Sequence, residues 1–77
     1  MIILFTVQLG KQYLLGYGVE MNHSSAIYNF VRSGANGSIE SRTYLGVMYM
    51  NGYGVKKNIY RAYLLLNEFF EHVVDEI

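Results

Sequence analysis

A repeat with a spacing of 36 residues constrains this chain more than any other feature of its sequence. When Leu9–Ala26 is aligned with Leu45–Ala62, nine of the 18 residue pairs are identical. Repeats of this length are typical of solenoid proteins, in which each repeat is one supersecondary unit that buries its apolar face against its neighbours. We therefore expect one domain made of two copies of the same unit, with repeat one at about residues 1–36 and repeat two at about 37–77.

Each copy has the pattern of two antiparallel helices. Apolar residues at i, i+3, i+4 and i+7 predict first helices from about Ile2 to Leu15 and from Ile39 to Asn51. Second helices are predicted over about 23–33 and from Ile59 to roughly Glu76. The sequence thus predicts an all-α chain of two helix-turn-helix repeats, about four antiparallel helices stacked as a short α-solenoid.

Glycine and capping residues mark the ends of these helices. A glycine with positive φ is predicted to end each first helix, and a second glycine two residues later lets the chain reverse. These glycines are Gly16 and Gly18 in repeat one and Gly52 and Gly54 in repeat two. Side-chain oxygens suited to accept from backbone amides at the start of a helix precede the other three helices. The predicted N-caps are Asn22, Ser38 and Asn58.

Two glycines fall inside the predicted first helices. A helical glycine costs about 1 kcal/mol relative to alanine, so Gly10 and Gly46 need a compensating role. Close approach of two helix backbones supplies one. We predict that Gly10 faces Ala26 and that Gly46 faces Ala62 across each helix pair.

The shared residues resemble the Sel-one-like repeat, an α-solenoid unit related to the tetratricopeptide repeat. The residues that carry the resemblance are Leu9, Gly10, Tyr13, Gly16, Gly18 and Ala26 in repeat one, and Leu45, Gly46, Tyr49, Gly52, Gly54 and Ala62 in repeat two. The resemblance covers nearly the whole chain. It implies a scaffold or adaptor role through protein–protein contact.

The two ends depart from the family pattern. The family places small residues after the alanine of the second helix, and Ser33 and Gly34 match them in repeat one. In repeat two the same positions are Phe69 and Phe70, and Phe5 is the counterpart of Ser41. We expect these large residues to block the usual stacking of a further repeat. Three explanations stay open for the apolar ends: they fold back, two chains associate, or another protein binds there.

Composition excludes several classes of function. The chain has 77 residues and no cysteine, which excludes disulfides, thiolate zinc sites and cysteine nucleophiles. Its six basic and six acidic residues cancel, so there is no general attraction to nucleic acid. No apolar stretch is long enough to span a membrane, and no basic residue precedes the apolar start as in a signal peptide. We expect a soluble, cytoplasmic protein without a membrane partner.

No residue pattern indicates chemistry. The serines occupy capping or packing positions, so we expect no enzyme and no cofactor. Glu68, His72 and Asp75 share one face of the last helix and would suit a weak cation site. A solvated outer face explains them better, so no metal is predicted.

The predicted function is a non-catalytic protein–protein interaction module, such as a small adaptor, an inhibitor or an immunity-type protein. Its partner would be another protein of unknown identity, or a second copy in a homodimer. The candidate binding residues line a groove between the first helices or lie in the last helix: Gln8, Lys11, Gln12, Tyr44, Val47, Met48, Phe69 and Phe70. The alternative is a helical nucleic-acid or phosphate-binding protein that uses Arg42, Lys56, Lys57 and Arg61.

Overall fold

The chain folds into four α-helices and, in the part described, no strand. A computed structural model describes residues 2–75, with the side chains of residues 3–68, 70 and 71. The helices are α1 (Ile2–Leu15), α2 (His23–Ala35), α3 (Ile39–Asn51) and α4 (Ile59–Asp75). The all-α prediction is confirmed. The second helix extends two residues beyond its predicted end, and residue 76 lies outside the described residues.

The turns of the two repeats have the same geometry. Gly16 and Gly18 have φ angles of 73° and 74°, and their counterparts Gly52 and Gly54 have 71° and 72°. Residues with a Cβ rarely adopt this left-handed conformation, which explains why glycine occupies these four positions.

The predicted N-caps are confirmed at all three helix starts. The Oδ1 atom of Asn22 accepts from the backbone N–H of Ser25 at 3.0 Å. In repeat two, Asn58 Oδ1 accepts from the N–H of Arg61 at 3.0 Å. Ser38 Oγ accepts from the N–H of Ser41 at 3.1 Å at the start of α3. Each bond satisfies an amide that has no partner inside its helix.

The core lies mainly where the two repeats meet. Helix α1 packs on α2, α3 packs on α4, and the two pairs are joined through α2 and α3. Phe30 of α2 and Met48 of α3 are completely buried there, together with Ala26 and Leu45. The ring of Tyr44 stacks on Phe30 with 4.9 Å between centroids. The stability of each repeat therefore depends on the other.

The helical glycines allow close packing across each helix pair. A Cβ at Gly10 would lie 2.5 Å from Phe30 Cε1, and one at Gly46 would lie 2.9 Å from Leu66 Cγ. Helical side chains lean toward the N-terminus of their own helix, so Phe30 and Leu66 lie over the turns that carry Ala26 and Ala62. The nearest atoms to each glycine thus belong to a large side chain one turn beyond the predicted alanine.

Small residues let α2 and α3 approach each other at the junction of the repeats. Ser33 and Ser41 are fully buried, and their hydroxyl groups hydrogen-bond to each other. Ser33 Oγ also donates to the carbonyl of Asn29 at 3.0 Å. A Cβ at Gly34 would lie only 3.0 Å from Arg42 Cγ. The junction has no room for a large side chain at these positions.

Candidate interaction surfaces

The predicted groove between the first helices does not form as one surface. Met48 has no exposed surface, so the prediction that it is exposed for binding in a groove is wrong. Tyr44 is half-buried because its ring stacks on Phe30. Helix α2 covers this face of α3, which the spacing of residues along α3 alone did not reveal.

The counterparts of these two residues lie on α1, in repeat one. Gln8 corresponds to Tyr44 and is exposed, whereas Gln12 corresponds to Met48 and is half-buried. Equivalent positions of the two repeats therefore differ in burial, and the polar pair is the more exposed.

Lys11 and Val47 are the two predicted residues that share the outer surface of α1 and α3. The Nζ atom of Lys11 lies 3.4 Å from Glu40 Oε2, so this lysine already has an acidic neighbour in the other repeat. Val47 is 39% exposed. This surface combines an ion pair with a moderately exposed apolar residue.

A more apolar surface lies on α4, at the far end of the stack. We define the C-terminal stripe as Ile59, Tyr63, Leu66 and Phe70, which are spaced i, i+4, i+7 and i+11 on one face of α4. Ile59, Tyr63 and Phe70 are 57%, 60% and 61% exposed, and Leu66 is half-buried. Of the predicted pair at this end, Phe70 belongs to the stripe, while the side chain of Phe69 lies outside the described residues.

The repeat supplies a template for the C-terminal stripe. Its counterparts 36 residues earlier are His23, Ile27, Phe30 and Gly34 of α2. All four contact repeat two. The His23 ring lies 5.2 Å from that of Tyr53, and Phe30 stacks on Tyr44.

The other two counterparts are equally close to repeat two. Ile27 Cδ1 lies 3.1 Å from where a Cβ at Gly54 would stand, and Gly34 adjoins Arg42. The C-terminal stripe of α4 is thus the counterpart of the α2 surface that packs against repeat two. Ile59 and Tyr63 were not among the predicted site residues; the repeat alignment pairs them with His23 and Ile27, but only the structure shows that those two contact repeat two.

The four basic residues of the alternative function do not act as four free cations. Arg42 Nη1 lies 2.8 Å from Glu68 Oε1, which neutralises it. The guanidinium of Arg61 lies 5.1 Å from the centroid of the Tyr49 ring, within the range of a cation–π contact. Lys56 and Lys57 are exposed in the turn before α4.

A shallow groove of about 450 Å³ separates the repeats beside these arginines. Arg42 and Arg61 line it together with Leu45, Tyr49 and Leu65. Among the described side chains, the Nε of Arg42 is buried without a hydrogen-bond partner. Because Glu68 already pairs with Nη1 of Arg42, the groove does not offer two free guanidinium groups to a phosphate.

The described part of the chain offers no cluster of three or more histidine, cysteine or acidic residues that could hold a metal. Of the face formed by Glu68, His72 and Asp75, the side chains of His72 and Asp75 lie outside the described residues. No helix in the described range is both long and apolar enough to cross a membrane.

No family model, curated protein or solved structure matches this chain. The resemblance to Sel-one-like repeats is therefore carried only by the residues that the two copies share.

Proposed function

We propose that this chain is a non-catalytic protein-interaction module of two Sel-one-like repeats that binds its partner through the C-terminal stripe. One observation carries the proposal: α4 exposes the surface that its counterpart α2 uses to hold another helix. Burial of exposed apolar surface contributes roughly 25 cal/mol per Å², so a partner that covers the stripe gains affinity. The stripe also contains Tyr63, and tyrosine is enriched among the residues that dominate binding energy.

A helix is the element that suits this face. In repeat one, Phe30 and Gly34 of α2 pack on α3, and the other two equivalent residues contact the turn that follows it. An amphipathic helix in an apolar groove is a common mode of protein recognition. The partner helix must take a more distant path than α3 does. Phe70 stands where α2 has Gly34, whose Cβ position is already 3.0 Å from Arg42 Cγ.

The face of the first helices fits the proposal less well. Its candidate Lys11 is paired with Glu40, and Val47 is 39% exposed against 60% for Tyr63. Displacing an ion pair adds a cost of desolvation that an apolar stripe does not have. The serines also have structural roles, as in the buried pair Ser33 and Ser41, which supports a function without catalysis.

The test is site-specific photo-crosslinking inside cells of the native source. A photoreactive phenylalanine analogue replaces Tyr63 in one form of the chain and Tyr28 in the other. Tyr28 is the matched control because it is 62% exposed but lies on α2, outside the stripe. We expect protein adducts at position 63, whether with another protein or with a second copy, and few at position 28.

A second substitution shows whether the adducts depend on the stripe. Ile59→Asp in the chain labelled at position 63 is expected to reduce the adducts about tenfold or more, because burying an unpaired charge costs well over 1.4 kcal/mol. Its melting temperature should stay near that of the parent, since Ile59 is 57% exposed. Equal labelling at positions 63 and 28, or adducts unaffected by Ile59→Asp, would refute the proposed function.

A further inference from the structure

We infer that the partner on the C-terminal stripe is a second copy of this chain, with the two α4 helices antiparallel about a two-fold axis. This inference rests on the proposed function and names its partner. It is supported by three features of the described residues: the spacing of the stripe, the distribution of charge along α4, and the size of the residues at the two ends of the stack.

The spacing of the stripe suits antiparallel pairing with itself. Residues at i, i+4, i+7 and i+11 have the same spacing when the helix is followed from either end. An antiparallel pair therefore places Ile59 opposite Phe70 of the second copy, and Tyr63 opposite Leu66 of the second copy. Each copy contributes the same patch, as an interface with two-fold symmetry requires.

Charge along α4 selects the antiparallel orientation. Lys56 and Lys57 are exposed just before α4 begins, whereas Glu71 is exposed in its C-terminal half. Antiparallel helices bring the basic end of one copy to the acidic part of the other. Parallel helices would bring like charges together, which disfavours that pairing. Antiparallel helix dipoles also attract each other.

Head-to-tail stacking of copies is blocked by large residues. Such stacking would repeat the contact of α2 with α3, and Phe70 would stand in place of Gly34. Phe5, which is 64% exposed on α1, would stand in place of the buried Ser41. The junction between the repeats has no space for either ring, as the 3.0 Å approach at Gly34 shows. Copies of the chain are therefore expected to form a closed dimer and not an open fibre.

The interface is small, and we expect a weak dimer. A buried aromatic side chain covers about 150–250 Å². The exposed parts of Tyr63 and Phe70 thus offer on the order of 100 Å² each. The pair as a whole falls below the roughly 1,200 Å² of a standard interface. A dissociation constant of about 10–100 μM fits this size.

Sedimentation of the purified chain tests the association, over a concentration range from about 5 to 500 μM that brackets this constant. We expect a reversible monomer–dimer equilibrium in the parent. Tyr63→Asp should raise the dissociation constant at least tenfold, while Tyr28→Asp should leave it within about twofold. A parent that stays monomeric throughout, or equal weakening by the two variants, would overturn the inference.

Disulfide formation tests the orientation, because the chain has no cysteine of its own. One variant carries Lys56→Cys and a second carries Glu71→Cys. Under mild oxidation at about 100 μM, at or above the expected dissociation constant, an antiparallel pair should give the mixed disulfide between the two variants and little product from either variant alone. Strong cross-linking of each variant with itself, without the mixed disulfide, would show parallel helices and overturn the stated arrangement.

The two proposals fail separately. If the purified chain is monomeric but position 63 still forms adducts with other proteins in cells, the self-association is wrong and the interaction function stands. If Tyr63→Asp leaves the dimer unchanged and Ile59→Asp leaves the adducts at position 63 unchanged, both are wrong. Circular dichroism of every variant is the control that distinguishes loss of association from loss of the fold.

Discussion

The two repeats share one internal geometry and differ where their neighbours differ. The hairpin of repeat one is closed by a hydrogen bond from the N–H of Asn22 to the carbonyl of Tyr13 at 2.9 Å, and the equivalent bond from Asn58 to Tyr49 is also 2.9 Å. At positions that face outward from the hairpin, the copies diverge. Gln12 on the open face of α1 becomes the fully buried Met48 of α3.

This difference shows what the repeat conserves. Residues that close a hairpin are the same in both copies because each hairpin is closed in the same way. Residues outside the hairpins differ with their surroundings: those at the junction are apolar or small, whereas their counterparts on α1 and α4 include the exposed Phe5, Gln8 and Phe70. The change from Gly34 to Phe70 is the clearest case, because one is buried at the junction and the other is 61% exposed.

The largest expected effect comes from truncating equivalent residues of α1 and α3. Met48→Ala should lower the free energy of unfolding by about 2–5 kcal/mol, because it leaves a cavity in the core between the repeats. Gln12→Ala should change it by less than about 0.5 kcal/mol, as is usual for residues outside the core. Urea titration followed by circular dichroism measures both values.

The reverse exchange provides the control for this pair. Gln12→Met places the residue of repeat two on the open face of α1, and we expect stability within about 0.5 kcal/mol of the parent. Comparable losses of unfolding free energy for Met48→Ala and Gln12→Ala would show that α2 does not cover α3 in the way described. The two equivalent positions would then not differ in burial.

A smaller effect is expected at the helical glycines. Alanine gains about 1 kcal/mol of helix propensity at either site, and overpacking costs about 1–3 kcal/mol. At Gly10 the new Cβ would lie 2.5 Å from the fully buried ring of Phe30, which Tyr44 holds in place by stacking. We expect Gly10→Ala to be destabilising by about 1–2 kcal/mol in net terms.

At Gly46 the obstacle is softer. The nearest atoms are Leu66 Cγ at 2.9 Å and Leu65 Cβ at 3.2 Å, so the closest approach is longer than the 2.5 Å at Gly10, and both leucines are half-buried whereas Phe30 is fully buried. Gly46→Ala should therefore remain within about 0.5 kcal/mol of the parent. Thermal unfolding resolves the contrast, since 1 kcal/mol corresponds to about 4–8 °C in a domain of this size. A larger loss at Gly46 than at Gly10 would contradict it.

Much of the fold could be predicted from local sequence signals. Gly16 and Gly52 mark positions of positive φ, and Asn22 and Asn58 cap the helices that follow them, because these effects depend on a few neighbouring residues. The partners of Gly10 and Gly46 could not be predicted in the same way. Which side chain fills the space over a helical glycine depends on side-chain direction across the helix pair.

The exposed surfaces were harder to predict than the fold. Periodicity along α3 placed Val47 and Met48 on one candidate surface, yet adjacent residues point about 100° apart on a helix and α2 covers only one of them. The buried state of Met48 follows from the stacking of the repeats, which the spacing along one helix does not specify. Ile59 and Tyr63 needed both the repeat alignment and the observed contacts of α2.

The smallest expected effect concerns the outer surface of α1 and α3, where the repeats differ by an ion pair. Lys11→Val places a valine in α1 at the position equivalent to Val47 of α3, and it removes the contact with Glu40. Because the Nζ–Oε2 distance is 3.4 Å and the side chains are 33% and 55% exposed, solvent screens the pair. We expect a loss of less than about 0.5 kcal/mol, which should vanish near 1 M salt. Glu40→Gln should add nothing further to Lys11→Val, and a coupling above about 1 kcal/mol in the double-mutant cycle would show instead that this pair helps to hold the two repeats together.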